Sequence, residues 1–68
     1  MSYILIFDIP RKNTILAVKV NRKLKEMNAE KIQNSVWRGE NFDELVKIAL
    51  LIRNEGGKAQ IVEEKVVF

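Results

Sequence analysis

The chain has 68 residues, no cysteine and no histidine, and twelve basic side chains against nine acidic ones for a net charge of +3. That length predicts one domain spanning residues 1–68, near the size at which a lone core is marginally stabilising and pairing with a second copy helps. The absent cysteines exclude a disulfide framework and thiolate metal sites, and the absent histidines remove the commonest general base and zinc ligand. Any catalysis therefore falls to carboxylates, hydroxyls, lysine or a hard metal ion.

The first stretch, Tyr3 to Pro10, has five apolar or aromatic residues in a row. Its β-formers, stopped by a proline that cannot continue a ladder, predict a short strand buried on both faces. Asp8 stands at its end, either as a turn former or as a chemical group on a rigid support. Asn13 or Thr14 caps a helix predicted over residues 14–27, in which Leu16, Val20, Leu24 and Met27 form one apolar stripe and Lys19, Arg22, Lys23, Lys25 and Glu26 occupy the remainder. Asn28 tolerates the left-handed conformation that ends a helix. No Gly-rich phosphate loop precedes this helix, so there is no nucleotide-binding fingerprint.

From Ala29 to Gly39 the loose alternation fits two short strands turning near Asn34-Ser35, with one longer bulged strand as the alternative. Ile32, Val36 and Trp37 are the apolar contributions expected there, and Trp37 reads as a packed aromatic rather than a base-stacking platform. Asn41, with Glu44 three residues on, opens a second helix over Phe42 to Asn54 striped by Phe42, Leu45, Ile48 or Ala49, and Ile52. Gly56-Gly57 ends it. Ala-Gln-Ile-Val then begins a last strand, interrupted by Glu63-Glu64-Lys65 before Val66-Val67-Phe68.

This order predicts an α+β, ferredoxin-like βαββαβ fold, an antiparallel sheet with both helices on one face. Tyr3, Leu5 and Phe7 point to one side of the first strand, and Ile4 and Ile6 to the other. A chain this short has nothing left to cover the second side, so a homodimer packed sheet face to sheet face is expected, with Val66-Val67-Phe68 adding to the partner's sheet edge.

No apolar run approaches the roughly 18 residues that span a bilayer, and the first residues lack a basic segment followed by a long apolar one. A cytoplasmic protein without membrane association is the expectation. Residues 1–38 carry a net charge of +5 and residues 39–68 a net of −2. A basic first half suits a polyanion-facing surface and equally a solvated lysine-rich helix.

Tyr3-Ile-Leu-Ile-Phe-Asp8-Ile, a basic helix holding Lys19-Val20, and Lys31-Ile32-Gln33-Asn34-Ser35-Val36-Trp37-Arg38-Gly39 together resemble the small CRISPR-associated endoribonuclease family. This is the non-integrase member of the CRISPR spacer-adaptation pair. The resemblance covers roughly the first forty residues, and its most specific part is Gln33-x-Ser35-Val36-aromatic-x-Gly39 after the strand-terminal Asp8. It implies a ferredoxin-like homodimer acting in antiviral defence, with Asp8 as catalytic residue and metal ligand in Mg²⁺- or Mn²⁺-dependent cleavage of RNA or DNA. In several members of that family the dimer is instead a non-catalytic bridge gripping DNA between integrase subunits.

One carboxylate per chain is a poor site for a hard cation, but two-fold symmetry would supply a second Asp8. Arg11, Lys12, Lys19, Arg22, Lys23 and Arg38 are the candidate nucleic-acid contacts. Three functions follow as expectations: a metal-dependent endonuclease of spacer acquisition, a non-catalytic DNA-bridging partner of the integrase, and a toxin-like or RNA-binding ferredoxin-fold domain outside CRISPR.

Overall fold

Strand β1 (Tyr3–Asp8) lies inside a four-stranded antiparallel sheet whose order is β2 (Glu30–Gln33), β3 (Val36–Gly39), β1, β4 (Lys58–Glu63), hydrogen-bonded to a neighbour on each side. The computed structural model describes residues 1–65. The expectation placed on Val66-Val67-Phe68 falls outside those residues. Chain order runs β1, α1 (Thr14–Glu26), β2, β3, α2 (Phe42–Asn54) and β4. This is the ferredoxin-like βαββαβ arrangement, with each helix carrying the chain past one intervening strand.

Both helices begin and end where local chemistry permits. The Asn13 side chain accepts the Leu16 amide at 3.0 Å, and that of Asn41 accepts the Glu44 amide at 3.2 Å, so each satisfies a first-turn donor. The Glu44 carboxylate turns to Lys47 rather than back to the cap. α1 ends one residue before the expected Met27, where Asn28 takes a φ of 59° and the Ala29 amide reaches back to the Leu24 carbonyl. α2 ends the same way, with Gly56 at a φ of 92° and the Gly57 amide bonded to the Ile52 carbonyl at 2.9 Å.

Period-2 alternation in β1 meets period-3.6 stripes in the helices to form one core. Leu5, Phe7 and Trp37 from the sheet pack with Leu16, Val20 and Leu24 of α1 and Leu45, Ile48, Ala49 and Ile52 of α2. Each fully buried aliphatic side chain contributes about 1.5–3 kcal/mol. Trp37 is buried, as expected of a packed aromatic, and its indole N–H has no hydrogen-bond partner among the described residues. Phe42 is 46 % exposed and packs its ring against Tyr3 at 5.0 Å.

Residues 29–39 form a hairpin turning at Asn34-Ser35, and β2 is also irregular, with a register shift between Lys31 and Gln33. That shift accounts for Ile32, which is 43 % exposed on the edge strand instead of joining the core.

On the face away from the helices, Ile4, Ile6 and Val36 are only half-buried, and Val62 is 43 % exposed. This open face thus carries an apolar patch, flanked by Gln60 opposite Ile6 and Arg38 opposite Ile4. No helix among the described residues is long and apolar enough to cross a membrane.

Gly57 locks the α2–β4 turn against the end of β1. A Cβ there would stand 2.6 Å from Ile52 Cγ2 and 2.7 Å from the Asp8 carbonyl oxygen, so the turn admits no side chain. Gly57→Ala is expected to destabilise by ~1–3 kcal/mol through overpacking. In thermal unfolding this appears as a drop of about 4–8 °C per kcal/mol. An unchanged melting temperature would show that the turn has slack.

Candidate functional site

Asp8 has the same strand parity as Ile4 and Ile6, so its exposed carboxylate belongs to the open face, at the end where β1 gives way to the loop. Its cross-strand partner on β4 is Lys58. Opposite residues on an antiparallel pair lie on the same face, so Lys58 shares the face of Asp8, without an ion pair between the two side chains among the described residues. Ile6, Phe7, Ala59 and Gln60 complete a shallow, mainly apolar hollow of about 290 Å³ around the two. The donor set here is one carboxylate with a lysine alongside. Among the described residues no three acidic side chains gather as metal ligands. A divalent cation takes one or two carboxylates together with water and phosphate oxygens, so Asp8 alone is a minimal donor set that a second copy of the chain would double.

Arg11 and Lys12 are exposed in the turn directly after β1, tied down by the Asn13 amide bonded to the Pro10 carbonyl at 2.9 Å. They share the Asp8 end of the sheet. Lys19, Arg22 and Lys23 are exposed on α1 and line a groove between the helices, on the layer opposite the open face.

Arg38 lies on the open face at the other end of β1, in register with Ile4 and with Glu30. Ile4 and Asp8 are four residues apart on an extended strand, about 13 Å. The guanidinium is already engaged: Nε donates to Glu64 Oε1 at 2.8 Å, Nη2 donates to Glu64 Oε2 at 2.8 Å, and Nη1 donates to Glu30. The Ser2 hydroxyl donates to Glu64 Oε1 at 2.6 Å, and the Glu64 amide donates to the Ser2 carbonyl at 3.0 Å. The network joins the start of the chain, β2, β3 and the segment after β4.

The seven candidates thus fall into three groups. Asp8, Arg11 and Lys12 stand at one end of the sheet, Lys19, Arg22 and Lys23 lie on the helix layer, and Arg38 is held at the far end of the open face. Sequence reasoning missed Lys58, Glu64, Glu30 and Lys47. The last strand was expected from Ala59 and begins one residue earlier, at Lys58, and only the register pairs Lys58 with Asp8. No sequence model of a known family matches this chain, and no curated protein matches it.

Hydrogen bonding to Arg38 first, and to Ser2 second, holds the Glu64 carboxyl below the usual carboxylate range. A depressed carboxyl pKa contributes stability that is present above the ordinary range and is lost as pH falls through the depressed value. Glu64→Gln should therefore melt below wild type at neutral pH, and the difference should shrink in acid, below about pH 4. A difference of equal size at neutral and acid pH would contradict this assignment.

Proposed function

We propose that the protein is a homodimeric, nucleic-acid-binding hydrolase of the small CRISPR-associated endoribonuclease type. In this reading it cleaves RNA or DNA phosphodiesters with Mg²⁺ or Mn²⁺ during spacer acquisition in antiviral defence, beside the CRISPR integrase subunit. The observation that carries it is the position of Asp8, a solvent-exposed carboxylate at the end of the inner strand, on the sheet face no helix covers. Apolar Ile4, Ile6, Val36 and Val62 on that face suit burial against the same face of a second copy.

Across a two-fold axis, Asp8 and the partner subunit's Asp8 would form the two-carboxylate donor set that a hard cation takes. The bound metal supplies Lewis-acid activation of a water and neutralisation of phosphate charge. The chain's own part is to hold Asp8 on a rigid strand, pinned through the Gly57 contact, and to set Arg11 and Lys12 beside it as phosphate contacts.

A second reading, a non-catalytic dimer that grips DNA between integrase subunits, is favoured by Lys58. A lysine opposite Asp8 on the same face lowers the local appetite for a cation while adding to phosphate attraction.

Asp8→Asn keeps the side-chain shape and its acceptor oxygen but removes the charge. Metal-dependent cleavage is expected to fall to background, with oligomeric state and melting temperature close to wild type. Full cleavage by the purified variant would remove Asp8 from the chemistry. A wild type that binds nucleic acid but never cuts, with or without chelator, would select the bridging reading.

A further inference from the structure

Lys19, Arg22 and Lys23 of α1 and Lys47 of α2 line an open groove of about 530 Å³ between the two helices, with Leu51 also in its lining. Glu26 and Glu44 also line it, and Glu44 is engaged by Lys47 at 3.4 Å. Four cations therefore meet two carboxylates. Positions i, i+3 and i+4 on a helix are surface neighbours with Cβ atoms about 5–6 Å apart, so the α1 cations form a compact row. Their long arms follow a chain of phosphates without demanding one geometry.

The groove's lining also says what is not read there. It contains no aromatic side chain on which a base could stack and no Asn or Gln to address a base edge. Phosphates are what such a surface recognises. The groove is on the helix layer, whereas Asp8 is on the opposite face of the sheet.

We infer that the inter-helix groove binds the sugar-phosphate backbone of a nucleic acid, as a holding site separate from Asp8. The inference rests on the proposed function for the class of ligand and adds where the ligand is held. In a dimer closed across the open faces, both grooves remain accessible on the two outer sides.

The test titrates a short DNA duplex of arbitrary sequence, and its separate strands, at several salt concentrations, with polyglutamate as competitor. Lys19→Gln with Lys23→Gln and Lys47→Gln should weaken binding by about tenfold or more at low salt. It should also remove roughly 2–3 from the log–log salt slope, since each phosphate contact contributes about 0.7–0.9. Glu26→Gln should tighten binding by about twofold, an effect that misfolding would not produce. If the wild type binds but the loss falls instead on Arg11→Gln with Lys12→Gln, the groove is wrong and the proposed function stands. Polyglutamate competing as well as DNA would reassign the groove to an acidic protein. A wild type that binds no nucleic acid would overturn both readings.

Discussion

Everything in this fold depends on a strand that is apolar on both sides within a sheet that has helices on only one. Leu5 and Phe7 find their partners in the two helices, whereas Ile4, on the reverse of the same strand, lies between Arg38 and Val62, and Ile6 between Val36 and Gln60, at the sheet surface. Burying that reverse face against a second copy is favourable at about 25 cal/mol per Å² of apolar surface.

The same constraint governs where chemistry can sit. The β3 ladder ends at Ile6, but the backbone that carries the Asp8 carboxylate is held by the β4 ladder at Lys58 and by the Gly57 turn behind it, so its position is set by the sheet rather than by a loop. At the other end of the face, Arg38 bridges Glu30 and Glu64 and draws the segment after β4 toward Ser2. These two polar features bracket the apolar patch. The arrangement resembles an interface with a hydrophobic centre and polar rim. The basic helix surface stays outside it, on the opposite side of the sheet from Asp8.

Much of this was legible in the residues. The run ending at Pro10, the stripe Leu16, Val20, Leu24 and the glycine pair at 56–57 specify strand, helix and turn through local chemistry, and the order of elements then leaves few topologies. The hairpin turn at Asn34-Ser35 was also readable, but the fate of Ile32 was not, because the register shift in β2 arises from pairing with β3. Partners distant in sequence were hidden for the same reason. Arg38 and Glu64 are 26 residues apart, and Arg38 read in isolation is a free cation suited to phosphate. Lys58 lies just before the strand expected from Ala59, and only register sets it opposite Asp8. A list of basic residues carries no information about which layer each one occupies, so the candidate contacts appeared as one surface and are three groups.

The proposed pairing of open faces is the step on which the two-carboxylate reading of Asp8 stands. Sedimentation equilibrium at micromolar concentration tests it most directly, with wild type and Ile6→Lys compared under the same conditions. Twice the chain mass for wild type and the single-chain mass for a still-folded Ile6→Lys protein is the expected result; a wild type that sediments as one chain would contradict it.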